Sequence, residues 1–137
     1  MAEAIEPYEE LSSDNCWGYL ASQEVGRLGV SVDGLPEIFP VNFGLDGEFI
    51  VFRTAEGSKL EQLSANNNVA FEIDGWDDHE GWSVIVSGVA EIVESETDLQ
   101  RFQHLPLRSW VDTVKQTWVR IVPTEVSGRY FTFVEAE

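Results

Sequence analysis

The sequence predicts a mainly β protein, a small barrel of six mostly antiparallel strands with short helices between some of them. Three observations support this fold class. Several short segments alternate apolar and polar residues with a period of two, and Asp-Gly pairs of the kind that form hairpin turns lie between them. The chain has 137 residues, which suits one domain with a single core. We therefore expect one domain over 1–137, with a flexible tail over residues 1–10.

The first half of the chain predicts a helix followed by a three-stranded meander. The helix follows Leu11, where Ser12 or Ser13 could cap it. The period then changes to two, and three strands are predicted over 25–32, 36–43 and 48–52. The pairs Asp33-Gly34 and Asp46-Gly47 lie between these strands, so we expect a tight hairpin turn at each.

The second half predicts three more strands and two helices. A helix over 59–65 ends at three asparagines, and a strand over 69–73 follows it. An acidic loop over 74–81 leads to a long strand over 82–93, in which Gly88 predicts a bulge or bend. A helix over 97–105 and a last strand over 118–126 complete the chain. A barrel of this size cannot enclose a large cofactor, so a sizeable ligand would lie outside it, in a groove that a second subunit could complete.

The charge of the chain excludes some classes of partner. Eight lysines and arginines face 25 acids, for a net charge of −17, whereas nucleic acids and anionic membranes bind clustered basic residues. No apolar run is long enough to span a membrane, and the acidic N-terminus is unlike a signal peptide. The single cysteine, Cys16, excludes an internal disulfide. We therefore predict a cytoplasmic protein that binds neither nucleic acid nor membranes.

The acidic loop over 74–81 does not have the pattern of a metal site. It holds four carboxylates and one imidazole, at Asp74, Asp77, Asp78, His79 and Glu80. Their spacing matches no EF-hand loop, and a solvated loop explains the same residues. No metal site is predicted, and no residue is assigned as a catalytic acid, base or nucleophile.

One short segment has the parts of a phosphate site. It reads Arg53-Thr54-Ala55-Glu56-Gly57-Ser58-Lys59-Leu60, and it joins the end of a predicted strand to the start of a predicted helix. Free N–H groups at a helix start favour an anion, and Arg53 and Lys59 would complete the charge balance. The alternative is an S-x-x-E capping box of Ser58 and Glu61 without a ligand. That box leaves Lys59 unexplained, because a cation in the first turn costs about 0.3–1 kcal/mol.

The chain resembles the pyridoxamine 5′-phosphate oxidase-like flavoproteins, in particular their small single-domain members. The likeness lies in Val25-Gly26-Arg27-Leu28, Pro40-Val41-Asn42-Phe43, Phe52-Arg53-Thr54 and Gly57-Ser58-Lys59-Leu60, and it continues over 81–88 and 118–123. The resemblance implies a split β-barrel homodimer that binds FMN in the two grooves between its subunits. It implies that the FMN phosphate is held by Arg53, Thr54, Ser58 and Lys59.

The resemblance also implies where the flavin ring lies. One strand would run along the isoalloxazine ring and give it backbone hydrogen bonds, through Phe39, Pro40, Val41, Asn42 and Phe43. Trp82 and Ser83 would approach the flavin from a neighbouring strand. Arg108 and Trp110 match an Arg-Pro-Trp-like loop of the smaller members, here with Ser109 in place of the proline.

Departures from the family pattern bear on the reaction. The true oxidases carry a tryptophan after the last strand and then an Arg-x-His element for the substrate phosphate, whereas this chain continues as Ser127-Gly128-Arg129-Tyr130. Pyridoxamine-phosphate oxidation is therefore not expected. We predict an FMN-dependent oxidoreductase with a small-molecule substrate or reductant. The alternatives are a non-catalytic flavin store or sensor, an FAD- or F420-binding relative, and a haem-binding relative with His79 or His104 as axial ligand.

Overall fold

The computed structural model describes residues 8–55, 57–107 and 116–134, and most of them belong to one curled antiparallel sheet. The predicted mainly β split-barrel fold is confirmed. The strands are β1 (Glu9–Glu10), β2 (Val25–Val32), β3 (Leu35–Asn42), β4 (Gly44–Asp46), β5 (Phe49–Ala55), β6 (Asn68–Trp76), β7 (Glu80–Ile92) and β8 (Gln116–Thr132). The helices are α1 (Ser13–Ser22), α2 (Ser58–Ala65) and α3 (Glu96–Phe102).

The sheet has the strand order β3-β2-β6-β7-β8-β5-β4, and β1 pairs with β8. The ladder between β7 and β8 is the longest, and its register shifts between Ser87 and Gly88. At Gly88 a Cβ atom would lie 2.5 Å from the carbonyl oxygen of Val122, so only glycine allows the two backbones to approach so closely. The irregularity predicted at Gly88 is therefore confirmed.

The hairpin between β2 and β3 forms where the sequence predicts it. Asp33 and Gly34 have φ angles of 53° and 78°, so both central residues of the turn are left-handed, as in a type I′ turn. The register then pairs Val32 with Leu35 and Val25 with Asn42. This pairing turns Val41 and the residues at even positions of β2 toward the core.

The core lies on the concave side of the sheet. Its fully buried large side chains come from α1, β2, β5, β6, β7 and β8: Leu20, Leu28, Ile50, Phe52, Phe71, Ile73, Val84, Val86, Val119 and Ile121. A smaller cluster of Val51, Val93 and Phe102 lies under α3 and includes half-buried Trp118 at its margin. Among the described residues, no helix is long and apolar enough to cross a membrane.

Strands are longer and more numerous than predicted. Glu9 pairs with Tyr130 and Glu10 with Arg129, so these two residues of the predicted tail form β1. β4 is a three-residue strand that was not predicted, since a segment so short shows no period. The first seven residues, which were also assigned to the tail, lie outside the described residues.

The predicted acidic loop over 74–81 is largely sheet. β6 continues to Trp76 and β7 begins at Glu80, so only residues 77–79 connect them. Gly75 permits this extension, because the ring of Trp82 covers it and a Cβ atom there would lie 2.9 Å from the indole. Packing of an aromatic ring on glycine thus continues the ladder through residues whose composition favours a loop.

Candidate functional site

Four residues of the predicted phosphate site come together where β5 ends and α2 begins. We call residues 53–55 and 57–60 the β5–α2 turn. Thr54 is buried, and its hydroxyl donates to the carbonyl of Ala55 at 3.3 Å. Arg53 and Lys59 are half-buried on either side of the turn. Ser58 is the first residue of α2.

The start of α2 differs from the predicted capping box. Gly57 is the N-cap, with a φ angle of 154° that favours glycine, and as a glycine it has no side chain with which to cap the helix. The N–H of Glu61 donates to the carbonyl of Gly57 at 3.0 Å, which is the first bond of the helix. Ser58 therefore lies one residue too late to act as N-cap, and the capping-box prediction is wrong. The N–H groups of Ser58, Lys59 and Leu60 precede that first bond, so they have no partner inside the helix.

The guanidinium of Arg53 is held by weak contacts. Its Nη2 donates to the carbonyl oxygen of Leu107 at 3.4 Å, and its central carbon lies 5.7 Å from the ring centroid of Trp118. Its Nε is buried without a hydrogen-bond partner in the described part of the chain. A buried guanidinium N–H without an acceptor is costly, so this atom has capacity for an acceptor from outside.

Lys59 connects α2 to the edge strand β3. Its ammonium nitrogen lies 5.1 Å from the ring centroid of Phe39, a distance at which a cation is attracted to the face of the ring. Burial lowers the pKa of Lys59 below its ordinary value of 10.5, because the charged form loses solvation. An anion placed beside Lys59 would reverse that effect and favour the charged ammonium.

Carboxylates pair with three other arginines but not with these two cations. Arg27, Arg101 and Arg120 each contact two carboxylates. Within the residues that the structure describes, Arg53 and Lys59 have no carboxylate partner. Arg129 also has none there, but it is exposed and lies over the ring of Tyr8. In a chain with 25 acids, these two half-buried cations are thus exceptional among the described residues, because neither has a carboxylate partner there.

β3 is the outermost strand on its side of the sheet. It pairs with β2 on one edge, and no described strand pairs with its other edge. The N–H of Phe43 donates to the carbonyl of Glu24 at 3.0 Å, which fixes the hydrogen-bonding alternation along the hairpin. Phe39 and Val41 therefore bond to β2, whereas the backbone groups of Ile38, Pro40 and Asn42 face the open edge. Pro40 lies at a position where no N–H is needed for the ladder.

Trp82 and Ser83 lie elsewhere in the same chain. Trp82 pairs with Tyr130 near the far end of β8, whereas Arg53 pairs with Trp118 near its start. These twelve residues of extended strand correspond to roughly 40 Å along β8. The ring of Trp82 stacks on Tyr19 of α1 with centroids 4.2 Å apart. The structure therefore does not bring Trp82 and Ser83 to the β5–α2 turn of their own subunit.

Sequence reasoning missed three contributors to this region. Leu107 and Trp118 contact Arg53 from distant parts of the chain, and no local sequence pattern predicts such contacts. Gly57 could have been found, because glycine directly before a helical segment is a recognised N-cap. Arg108, Trp110 and Glu56 lie outside the described residues.

The acidic turn between β6 and β7 has a structural explanation. Oδ1 of Asp77 accepts from the backbone N–H groups of His79 at 2.7 Å and Glu80 at 2.9 Å. These two bonds lower the pKa of Asp77 below its ordinary value of 3.8. Over residues 8–55, 57–107 and 116–134 no group of three or more potential ligands is arranged to hold a metal ion.

Comparisons with known proteins agree with this fold. A family model described as pyridoxamine 5′-phosphate oxidase matches residues 12–130. The chain is similar to a solved structure from Corynebacterium glutamicum named as a candidate pyridoxamine 5′-phosphate oxidase, with 40% identity, a TM-score of 0.86, and coverage of 93% of this chain and 100% of that one. It is also similar to the FAD binding protein from Mycobacterium smegmatis, with 46% identity, a TM-score of 0.79, and coverage of 90% and 98%.

Two further matches differ in what they show. An uncharacterised protein of Mycobacterium tuberculosis is 37% identical over 126 residues, which are 87% of this chain and 82% of the relative. A haem binding protein from Mycobacterium smegmatis is 20% identical with a TM-score of 0.68, and it covers 84% of this chain and 54% of its own. At that identity the likeness shows a shared fold alone.

Proposed function

The chain belongs to the pyridoxamine 5′-phosphate oxidase family, and from that premise we propose that it is a flavin-dependent oxidoreductase that holds FMN between two copies of the chain. One observation carries the proposal. The β5–α2 turn combines two half-buried cations without carboxylate partners in the described chain with a helix whose N-cap, Gly57, has no side chain. This combination suits a phosphate dianion.

Each residue at the turn would contact the phosphate in a different way. Arg53 would donate through the buried Nε that lacks an acceptor, and Lys59 would supply a second positive charge. The free N–H groups at the start of α2 would donate to the remaining oxygens. Thr54, near the end of β5, and Ser58, at the start of α2, would lie next to the phosphate. Each charge-assisted hydrogen bond of this kind contributes about 1.5–3 kcal/mol.

The open edge of β3 suits the polar edge of a flavin ring. Ile38 and Asn42 present both an N–H and a carbonyl there, and Pro40 presents a carbonyl. The isoalloxazine pyrimidine has both donors and acceptors, so an extended strand with free backbone groups can match it. Phe39, Val41 and Phe43 turn their side chains inward and keep the strand in place.

A second copy of the chain would complete the site. Trp82 and Ser83 are far from the β5–α2 turn along β8, so they could meet the flavin only from the partner subunit. Ile38 and Ile85 are exposed on the outer face of the sheet, with 71% and 47% of their surface accessible. A subunit contact at this face would remove both side chains from water. Light scattering of the purified protein checks the predicted homodimer.

FMN and FAD share the chemistry that these residues would recognise, namely an isoalloxazine ring with a ribityl phosphate. The resemblance of the sequence favours FMN. Two similar solved structures are named FAD binding proteins, one from Mycobacterium smegmatis at 46% identity and one from Mesorhizobium loti at 26%. FMN and FAD are therefore both tested as ligands, and tighter binding of FAD would replace FMN in the proposal.

The substrate is a molecule other than pyridoxamine phosphate. The segment Ser127-Gly128-Arg129-Tyr130, which the structure places inside β8, contains neither the tryptophan nor the Arg-x-His element that the true oxidases use for the substrate phosphate. When bound, the flavin supplies hydride transfer, while the protein positions it and adjusts its electrostatic surroundings. The described residues of this chain would hold the phosphate, align the ring along β3 and cover the ring with the partner subunit.

The visible spectrum of the purified protein tests this proposal. Flavin absorption, or tight binding of added FMN, is expected. Anaerobic reduction by NADH or NADPH, followed by reoxidation with an added acceptor, then separates an oxidoreductase from a flavin store. A preparation that shows a haem Soret band, or that binds no flavin at all, would contradict the proposal.

A further inference from the structure

The residues after α3 form a series of tight turns, and the last described residue of this segment contacts Arg53. The N–H of His104 donates to Arg101, that of Leu105 donates to Phe102, and that of Leu107 donates to Leu105 at 2.8 Å. Each bond reaches back only two or three residues, so this short stretch follows α3 closely. Its last described carbonyl, that of Leu107, accepts from Nη2 of Arg53. The position of α3 therefore determines where this acceptor lies.

α3 is fastened to β4 by a bidentate ion pair. Nε of Arg101 donates to Oδ1 of Asp46 at 2.8 Å, and Nη2 donates to Oδ2 at 2.7 Å. The same guanidinium donates to Asp98 of its own helix at 2.7 Å. Two parallel bonds fix the orientation of a guanidinium as well as its distance. The Asp46 side chain is only 17% exposed, so solvent competes weakly at its end of the pair.

A second contact joins the same two segments. A Cβ atom placed on Gly44 of β4 would lie 3.5 Å from Leu107 and 3.6 Å from Leu105. β4 and the stretch after α3 therefore touch at Gly44 and are joined by the ion pair two residues later. The Leu107 carbonyl lies between this junction and Arg53.

An ordinary surface ion pair would add little, about 0–1 kcal/mol of stability, and would have no effect on a ligand. The Asp46–Arg101 pair differs because it joins α3 to β4, and α3 leads to the carbonyl that contacts Arg53. Arg53 has no carboxylate in the described chain to fix its guanidinium, so its direction depends on the Leu107 carbonyl and on the face of Trp118. A shift of α3 would change the first of these two contacts.

We propose that Asp46 and Arg101 are positioning residues for Arg53, and that they thereby set the preference of the site for a phosphorylated flavin. This inference rests on the proposed function, because the phosphate is the ligand that Arg53 would bind. It predicts a defect that is specific for the phosphate. Riboflavin, which has the same ring and no phosphate, should bind Arg101→Gln almost as it binds the wild type.

The first arm of the test needs no ligand. The Nε–H of Arg53 is buried, so it should give a resolved NMR resonance, assigned by its loss in Arg53→Gln. In Arg101→Gln this resonance should shift or broaden. The matched control is Arg27→Gln, which also removes one charge and two carboxylate contacts but lies on β2. The Arg53 resonance should not move in that control.

The second arm compares FMN with riboflavin by fluorescence titration. Arg101→Gln should raise the Kd for FMN roughly 3- to 30-fold, the range typical of coupled networks, and change that for riboflavin less than about twofold. Arg27→Gln should leave the ratio of the two constants as in the wild type. In an Arg53→Gln background, Arg101→Gln should not change the ratio further, because the group it positions is absent.

The outcomes separate this inference from the proposed function. Equal losses for both flavins, or an unmoved Arg53 resonance in Arg101→Gln, would overturn the positioning role. A wild-type protein that binds neither flavin would overturn the proposed function, and the NMR arm would still decide the contact between α3 and Arg53. If Arg101→Gln fails to fold, Asp46→Asn breaks the same pair from the other side and is measured in its place.

Discussion

At the face formed by α3 and its neighbours, carboxylates surround the arginines, whereas at the β5–α2 turn the cations have no carboxylate partner in the part of the chain that the structure describes. We call the first region the α3 face; it comprises Asp46, Glu91, Asp98, Arg101 and Arg120. There Asp98 contacts both arginines, and Asp46 and Glu91 complete the set. At the turn, Arg53 and Lys59 lie instead against the rings of Trp118 and Phe39.

The difference shows which cations serve the fold and which are available to a ligand. Each arginine at the α3 face contacts two carboxylates of the same chain, so its charge is compensated without a ligand. In the described part of the chain no carboxylate pairs with the cations of the turn, and burial makes the charge of Lys59 less favourable, as its lowered pKa indicates. An anion would supply the missing balance. The same residue types therefore join segments of the chain in one region, where Asp46 and Arg101 also position Arg53, and are available to contact a ligand in the other.

Reversing the charge of Lys59 should have the largest effect. Lys59→Glu replaces an attraction to the phosphate by a repulsion, so the Kd for FMN should rise about 100-fold or more, which corresponds to about 3 kcal/mol. The unfolding midpoint should change little, because the described part of the chain gives Lys59 no ion pair to lose. Fluorescence titration and thermal unfolding measure the two quantities.

A double variant controls for net charge in that comparison. Ala65→Glu with Asn67→Asp also makes the chain more negative by two charges, at exposed positions near the other end of α2. Its affinity for FMN should stay within about threefold of the wild type, since exposed charges are largely screened beyond the Debye length. Equal losses in both proteins would contradict a local role for Lys59.

Disrupting the α3 face should instead affect stability. Asp98→Asn removes the carboxylate that bonds both Arg101 and Arg120, so we expect the free energy of unfolding to fall by about 1–2 kcal/mol. Urea denaturation measures this change. Asp78→Asn is the control, because Asp78 is exposed in the turn between β6 and β7, and it should change stability by less than about 0.5 kcal/mol. Equal effects of the two substitutions would show that the α3 face does not stabilise the fold.

The titration of Lys59 should have a smaller effect, which is a dependence of the stability of the ligand-free protein on pH. Its pKa is lowered in the folded state, so the charged form is disfavoured on folding at every pH below that pKa. Between the folded pKa and the ordinary value of 10.5, the unfolded chain binds more protons, and stability should rise with pH. Lys59→Met should abolish this rise in urea titrations at alkaline pH. A rise of the same size in Lys59→Met would assign it to another group.

The titration of Asp46 should have the smallest effect, which is a loss of stability at acid pH. The hydrogen bonds from Arg101 lower the pKa of Asp46 below its ordinary value of 3.8. Its stabilising contribution is therefore complete above pH 3.8 and is lost as the pH falls through the lower folded value. Asp46→Asn should be less stable than the wild type at neutral pH, and the difference should shrink as the pH falls. A difference that is constant with pH would exclude the ion pair as its cause.

Local signals predicted most of the fold. The Asp33-Gly34 turn and the alternation in β2 and β3 were sufficient for the hairpin, because a tight turn and the side-chain period together fix the register. The extra length of β6 and β7 could not be predicted in the same way. It depends on the ring of Trp82 covering Gly75, a contact between two strands in a segment of acidic composition.

The candidate site was predictable in part for a related reason. Arg53, Thr54, Ser58 and Lys59 are neighbours in sequence, so a local motif could identify them. The Leu107 carbonyl lies 54 residues from Arg53, and its approach depends on how α3 docks on β4. The helix cap was mispredicted because Ser58 and Gly57 are both acceptable N-caps, and the backbone geometry decides between them.

A crystal structure of the protein grown with FMN would test the central claim most directly. The account predicts the FMN phosphate at the β5–α2 turn, within hydrogen-bond distance of Arg53, Lys59 and the first N–H groups of α2, with the ring along the open edge of β3. A phosphate bound elsewhere, with Arg53 and Lys59 still facing only Trp118 and Phe39, would contradict it.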